Sequence, residues 1–123
     1  MRILVDTYVF IWALNAPERL SSANKAALES RANAIYLSSI SVAEIMIKAS
    51  LDKLRFDHDP IACAEQLGFE LLDFSATDAV LLKDLPFHHR DPFDRMLIAQ
   101  SLAQNTKLMS DDRRFRHYDC DLL

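Results

Sequence analysis

Short apolar segments alternate along this chain with longer segments of helical pattern, and no repeat or low-complexity tract interrupts them. Strands that alternate with helices of roughly ten residues imply β–α–β units and a parallel sheet. In such open sheets, ligands bind in the crevice outside the carboxyl ends of the strands. The alternation therefore predicts an α/β fold and directs attention to the residues that follow each strand.

The pattern predicts strands at residues 3–5, 34–37, 70–73 and 107–110, and a further strand at residues 118–122. The predicted helices cover residues 7–14, 22–31, 41–51, 60–67, 76–85 and 92–104, with a helical turn at residues 112–115. Pro17 ends the region of the first helix and Gly68 ends the fourth, since proline disrupts a helix interior and glycine favours the position just after a helix.

The composition is that of a globular chain. Its 123 residues are 50% hydrophobic and include one glycine and four prolines, so we expect residues 1–123 to form a single domain without a flexible linker. Asp6 interrupts the first apolar run too early for a signal peptide, and no apolar run approaches the roughly 20 residues of a membrane span. With Cys63 and Cys120 interpreted as reduced thiols, we expect a cytoplasmic protein.

Basic side chains are concentrated late in the chain. The formal net charge is −4, which by itself argues against a nucleic-acid partner. Residues 88–117, however, hold six basic and four acidic side chains, whereas residues 1–87 hold eight basic and twelve acidic ones. The late segment is therefore locally basic, although charge counts alone are equally typical of an ordinary surface.

Acidic residues stand close to the ends of predicted strands. Asp6 directly follows the first strand, and Asp111 and Asp112 follow the last of the four main strands. Glu44 and Asp94 lie in the first turns of two predicted helices. Because the carboxyl ends of parallel strands share one edge of the sheet, we expect these acids to converge there.

Taken singly, several of these acids are explained by helix capping. Ser41 and Glu44 have the spacing of a capping box, in which each side chain bonds a free backbone N–H. Asp91 is suited to be an N-cap, with Pro92 at the first helical position and Asp94 at the third. Helix capping therefore competes with metal binding as the interpretation of each acid.

Considered together, the acids are better explained by metal binding than by helix capping. Asp6 follows a buried strand, where a carboxylate is costly unless it is paired or bound to a metal. Asp112 is suited to cap a short helix, but carboxylates that share one crevice repel, and a divalent cation removes that repulsion. All-oxygen ligands favour Mg²⁺ or Mn²⁺ over zinc, and a metal-bound water can attack phosphorus in line. An acidic pocket beside a basic segment predicts a metal-dependent phosphodiesterase.

Four segments resemble the acidic motifs of PIN domains. They read LVDT at residues 4–7, SISVAEI at residues 39–45, HHRDPFDRMLIAQ at residues 88–100 and LMSDDRRF at residues 108–115. The third motif is long and specific, whereas the first is weak alone. The resemblance extends from Ile3 to about Tyr118, and the chain is most similar to the VapC-type toxins of type II toxin–antitoxin systems.

The resemblance implies a three-layer α/β/α fold with a parallel central sheet. It also implies an Mg²⁺- or Mn²⁺-dependent endoribonuclease that hydrolyses RNA phosphodiester bonds through metal-bound water. The family's catalytic, metal-binding acids fall on Asp6, Glu44, Asp94 and Asp112. Its supporting hydroxyl positions fall on Thr7 and Ser110. A homodimer and a small cognate antitoxin that blocks the site are further implications.

Three positions depart from the family pattern. Tyr8 stands where relatives often have His or Asn, Ala43 where many have Trp, and Asp111 where a small apolar residue is usual. None of these departures removes a metal ligand, but Ala43 changes the packing beside the second acid. The spacing to Phe115 favours Asp112 over Asp111 as the metal ligand.

Other polar residues near these motifs have simpler interpretations. His88 and His89 are interpreted as surface or helix-entry residues, because oxygen ligands already suffice for the metal. Arg95 is suited equally to RNA contact and to a solvated helix face.

The first helix is more apolar than a small core requires. Its residues Val9, Phe10, Trp12 and Leu14 exceed what one helix face needs, so we expect some of them to line a dimer or antitoxin groove. An antitoxin Arg or Lys inserted among the carboxylates would close the site.

Other functional classes fit less well. A receiver-type signalling domain needs a phospho-accepting Asp after a central strand and a Lys after a late strand, whereas Lys107 here precedes its strand. A phosphotransferase with an Asp nucleophile needs a second Asp two residues later, and Tyr8 stands there. A PIN fold kept only for binding is a third alternative, which metal-dependent turnover would separate from the nuclease.

Overall fold

A computed structural model describes residues 1–112 and residue 115. The strands are β1 (Arg2–Val5), β2 (Ala34–Ser38), β3 (Glu70–Leu72) and β4 (Lys107–Met109). The helices are α1 (Thr7–Asn15), α2 (Ser22–Glu29), α3 (Ser39–Ser50), α4 (Pro60–Gln66), α5 (Ala76–Val80) and α6 (Pro92–Gln104). Two short 3-10 turns occupy Pro17–Arg19 and Leu81–Asp84.

The four strands form one parallel sheet in the order β3-β2-β1-β4. β1 lies inside the sheet, where Ile3 is in register with Ile35 of β2 and with Lys107 of β4. The chain moves outward from β1 to β2 and β3 and then returns to the other side of β1 to form β4. This reversal opens a crevice beyond the carboxyl ends of β1 and β4. The predicted parallel sheet is confirmed.

Side-chain alternation along β1 builds a core on each face of the sheet. Ile3 and Val5 belong to a buried cluster with Phe10 of α1 and Ile45 of α3. Leu4 belongs to a second cluster on the opposite face, which includes residues of α6 and β4. Helices therefore cover both faces of the sheet, which confirms the three-layer α/β/α arrangement.

Helix α1 buries part of its apolar surface in the core and leaves the rest near the surface. Val9 and Phe10 are 0% exposed and pack in the first cluster, so these two are not among the residues expected to line a partner groove. Trp12 and Leu14 are half-buried at the edge of that cluster. Each of these two side chains lines a surface cleft.

Helix α3 begins two residues before its predicted start. β2 continues to Ser38 and leads straight into the helix, and Ser38 Oγ caps it by accepting a bond from the Ile40 N–H at 3.0 Å. Ser41 is therefore inside the helix and fully buried. The interpretation of Ser41 and Glu44 as a capping box is wrong, and Glu44 lies in the second turn.

Other boundaries follow local chemistry. The helix predicted at residues 76–85 divides into α5 and the 3-10 turn Leu81–Asp84, with a capping box between Ser75 and Asp78 at its start. Helix α2 ends at Glu29, before the predicted residue 31. Gly68 follows α4 with a φ of +77°, as predicted.

Near the end of the chain, the Phe115 N–H donates to the Asp112 carbonyl at 3.2 Å, in the predicted helical turn. The strand predicted at residues 118–122 and Cys120 lie outside the described residues. Cys63 is a buried free thiol. None of the described helices has the length and apolarity to cross a membrane.

Candidate metal centre at the carboxyl edge of the sheet

A cleft of about 390 Å³ opens at the carboxyl ends of β1 and β4. The acids that line it come from four separate segments of the chain. They are Asp6, Glu44, Asp91, Asp94, Asp111 and Asp112. Tyr8, Trp12 and Lys48 complete the lining. The structure therefore brings the four acids predicted from the sequence into one cleft.

Asp6 occupies the junction of β1 and α1. Its backbone N–H donates to the Met109 carbonyl at 3.0 Å, and its Oδ1 caps α1 by accepting from the Val9 N–H at 2.7 Å. The residue is 7% exposed. Burial raises the pKa of the Asp6 carboxyl to about 6, although hydrogen bonds from Ser110 and Val9 oppose this shift. Asp6 is therefore both a cap and a desolvated acid at the cleft.

Glu44 points from the second turn of α3 toward the same cleft. Thr7 Oγ1 donates to Glu44 Oε1 at 2.6 Å and lies 3.0 Å from Ser41 Oγ. The other oxygen, Oε2, forms an ion pair with Lys48 one helical turn later. Glu44 is 2% exposed, so these contacts hold a buried carboxylate in a fixed orientation.

Helix α6 delivers Asp91 and Asp94 in different roles. Asp91 Oδ1 accepts from the N–H groups of Phe93 and Asp94 at 2.9 and 3.2 Å, which confirms it as the N-cap. Asp94 is at the third helical position. Burial, and after it the repulsion of neighbouring charges, raises the pKa of the Asp94 carboxyl to about 7. Those charges belong to Asp91, Glu44, Asp6 and Asp112.

The segment after β4 supplies the remaining acids. The Asp112 N–H donates to Ser110 Oγ at 3.0 Å, and Asp112 Oδ2 lies 3.0 Å from a nitrogen of His89. Asp111 is more exposed but also lines the cleft. Thr7 and Ser110 therefore lie beside the acids, as predicted. Thr7 bonds the Glu44 carboxylate, and Ser110 bonds the Asp6 carboxyl group and the Asp112 backbone.

Of the two interpretations of His89, helix entry is correct and a surface position is wrong, because the residue precedes α6 but is buried. It is 1% exposed, and its Nε2 lies 2.8 Å from Asp94 Oδ2 and 3.0 Å from Asp112 Oδ2. These three atoms lie within 4.8 Å of one another, a grouping that could hold a metal ion. The adjacent His88 is exposed, as expected. The sequence gives the residue type at position 89 but not its burial.

Arg95 was also misinterpreted, because neither RNA contact nor a solvated face fits its position. It is 7% exposed, and its guanidinium spreads over the ring of Phe87 at 4.0 Å from the centroid. The same group donates to the carbonyl oxygens of Leu82, Leu85, Pro86 and His89. Arg95 therefore binds the loop that precedes α6.

Lys48 is a cleft residue that was not predicted from the sequence, although its spacing of four residues from Glu44 on one helix is typical of an ion pair. Its ammonium group lies 5.5 Å from the centroid of the Tyr8 ring. Although burial lowers it, contact with the Glu44 carboxylate raises the pKa of Lys48 above its ordinary value. The lysine adds a positive charge at the rim of an otherwise acidic cleft.

The donor set of the cleft fits a hard divalent cation. Two carboxyl groups, Asp6 and Asp94, have raised pKa values because burial and the repulsion of nearby carboxylates disfavour their charged forms. A cation bound among carboxylate oxygens would remove that repulsion.

Comparison with known proteins places the chain in a family. The model of the PIN domain family matches residues 3–120. The chain is 25% identical over 119 residues to "Ribonuclease VapC22" of Mycobacterium tuberculosis, which covers 94% of this chain and 91% of that protein.

Solved structures agree on the fold. The crystal structure of VapBC2 from Rickettsia felis, bound to a DNA fragment from the promoter, has a TM-score of 0.74 and 21% identity, and it covers 100% of this chain and 97% of that chain. DNA-bound VapBC from Salmonella typhimurium has a TM-score of 0.67 and 13% identity, covering 99% and 96%. Because the family match spans nearly all of its residues, this chain belongs to the PIN domain family.

Proposed function

We propose that this protein is a divalent-metal-dependent endoribonuclease and the toxin of a toxin–antitoxin pair. The observation that carries the proposal is the convergence of four acids, from residues 6 to 112, in one cleft. Family membership and the similarity to a protein named as a ribonuclease support the reaction class.

Asp6, Glu44, Asp94 and Asp112 would hold Mg²⁺ or Mn²⁺. When bound there, the cation would supply charge to activate water and to stabilise the leaving oxygen of the phosphodiester. Thr7 orients Glu44 through its 2.6 Å hydrogen bond, and Ser110 supports Asp6 and the Asp112 backbone. Lys48 places a positive charge at the rim, where an RNA phosphate would approach.

The nuclease is tested with single-stranded RNA closed into a circle, since only an endonuclease cuts a substrate without ends. We expect cleavage with Mg²⁺ or Mn²⁺ and none in excess chelator. Asp6→Asn and Asp94→Asn should abolish cleavage while the fold persists, because they keep the side-chain size and remove the charge. Asp73→Asn is the matched control, since Asp73 also follows a strand directly but is exposed.

Three results would reject the proposed metal-dependent nuclease mechanism. These are cleavage in excess chelator, full activity of either cleft variant, and no cleavage by the wild-type chain with metal bound. The last result, together with measurable metal binding, would favour a PIN fold that is kept only for binding.

We further propose that the protein forms a homodimer and binds a small antitoxin over the acidic cleft. The solved VapBC complexes are similar in fold, and the crowded carboxylates would attract an inserted Arg or Lys. Co-expression with a neighbouring small reading frame, followed by sizing, tests both parts. A monomer without a partner would reject both, and unchanged affinity in Asp6→Asn and Glu44→Gln would reject binding at the cleft.

A further inference from the structure

We propose that His89 is a positioning residue that joins Asp94 to Asp112 and sets the geometry of the acid cleft without itself binding the metal. The inference rests on the proposed metal-dependent function. The side chain of His89 contacts two of the proposed ligands but lies in neither of the two segments that carry them.

His89 bridges the start of α6 and the segment after β4, which are not joined by any strand pairing of the described residues. Asp94 belongs to the first turn of α6, whereas Asp112 follows β4. The His89 Nε2 atom lies 2.8 Å from an oxygen of the first and 3.0 Å from an oxygen of the second. Because each carboxylate has two oxygens, a bond to His89 leaves the group able to bind a cation with the other oxygen.

The hydrogen bonds also define the tautomer of the ring. The Asp91 backbone N–H donates to His89 Nδ1 at 3.2 Å, so Nδ1 is an acceptor and carries no proton. The proton of the neutral ring is therefore on Nε2, from which it is donated to the carboxylates. A nitrogen that carries this proton has no lone pair for a metal. His89 thus acts through the carboxylates rather than as a third ligand.

Other contacts hold the ring in place. The ring of Phe115 packs against it with centroids 5.6 Å apart, and Arg95 Nη1 donates to the His89 carbonyl at 3.3 Å. Through Arg95, the His89 backbone is connected to the same helix that carries Asp94. The imidazole is therefore fixed from its face, from its backbone and from Nδ1, which is what a rigid positioning group requires.

Loss of the bridge would release two like charges that lie close together. Groups that orient metal ligands typically change metal affinity by roughly 10- to 100-fold when they are removed. His89→Phe keeps an aromatic ring against Phe115 and removes the donor, so Mn²⁺ affinity should fall by roughly this factor. His89→Gln keeps an N–H donor and should recover part of the affinity. The matched control is His88→Phe, at the exposed neighbouring histidine.

The first measurement is Mn²⁺ affinity, by the electron paramagnetic resonance signal of the free ion, with thermal melting to verify folding. In an Asp112→Asn background, His89→Phe should cost less affinity than in the wild type, because one arm of the bridge is already weakened. Wild-type Mn²⁺ affinity in His89→Phe would overturn the proposal. Equal losses of affinity and stability in the Phe and Gln variants would also overturn it, since they indicate a packing role.

The second measurement separates positioning from ligation. Pulsed paramagnetic resonance of the Mn²⁺-loaded wild type should show no directly coordinated nitrogen, and such a nitrogen signal that disappears in His89→Gln would overturn the proposal. If the affinity pattern is as expected but the wild type does not cleave RNA, the proposed nuclease fails and the positioning role stands.

Discussion

The Asp6 and Asp94 carboxyl groups make the chain's stability depend on pH in an unusual direction. Burial raises the pKa of Asp6 to about 6 and that of Asp94 to about 7, from an ordinary value of 3.8. In the absence of metal, the folded chain keeps protons that the unfolded chain has already released. Stability must therefore fall as pH rises from about 4 to about 7 through these two groups.

Asp94→Asn should stabilise the metal-free protein at pH 8, by on the order of 2 kcal/mol, because it removes a desolvated charge. The advantage should disappear at about pH 3 and below, under the ordinary value of 3.8, where the wild-type carboxyl is protonated in both the folded and the unfolded state. Urea unfolding in excess chelator at the two pH values measures it. The same difference at both values would contradict burial as the cause of the raised pKa.

Individual residues of the cleft differ in how well their positions can be predicted from the sequence. The types and spacing of Asp6, Glu44, Asp94 and Asp112 were enough to predict that these acids meet in one cleft. The burial of His89 was not predictable in this way, because it depends on the ring of Phe115 and on a loop shape that Arg95 holds from a distance. The identity of a charged or polar residue does not determine which side chains will pack over it in the folded protein.

At the scale of elements, a side chain of α6 fixes the loop that precedes this helix. Arg95, in the first turn, reaches back to four carbonyl oxygens of the preceding segment. A planar guanidinium can serve several acceptors at once, whereas a lysine ammonium is a compact charge on a flexible stem. The loop that carries His89 is therefore fixed by a side chain of the helix that it enters.

Arg95→Lys should lower the free energy of unfolding by about 2–3 kcal/mol, because buried carbonyls lose their donors. It should also weaken Mn²⁺ binding, since His89 loses its backbone support. Arg90→Lys, at an exposed arginine in the same loop, is the control. Chemical denaturation with a Mn²⁺ titration measures both effects, and a stable Arg95→Lys variant would refute the anchoring role.

The alternation of apolar and helical segments was enough to predict the elements, whereas their boundaries depended on tertiary contacts. Helix α3 starts at Ser39 because β2 runs into it without a loop, and Ser41 is buried against Thr7. The helix predicted at residues 76–85 changes to a 3-10 turn at Leu81, where the chain packs beside α6. Helix propensity alone does not encode either contact.

At the scale of the whole molecule, the cleft exists only in the folded chain. Its acids lie in four segments of the chain that meet because β1 is placed between β2 and β4. A ligand that binds the folded state and not the unfolded state stabilises the protein by mass action, by about 2.7 kcal/mol at 100 times its Kd. The melting temperature therefore reports on metal binding independently of RNA cleavage.

Addition of Mg²⁺ or Mn²⁺ should raise the melting temperature of the wild type and of Asp73→Asn. It should not raise that of Asp6→Asn, which lacks a buried carboxylate of the cleft. Differential scanning fluorimetry over a range of metal concentrations measures the shift. An equal rise for Asp6→Asn would mean that the stabilising cation binds elsewhere on the protein.

The sheet order has a consequence for synthesis. β1 is made first among the described strands, but its second neighbour, β4, begins only at Lys107, and Asp112 comes later still. A growing polypeptide that ends before residue 112 has an exposed edge on β1 and an incomplete set of acids. For the proposed nuclease, the growing chain would thus stay inactive on the ribosome until nearly all of these residues had emerged. During that time it would not cleave the messenger RNA being translated.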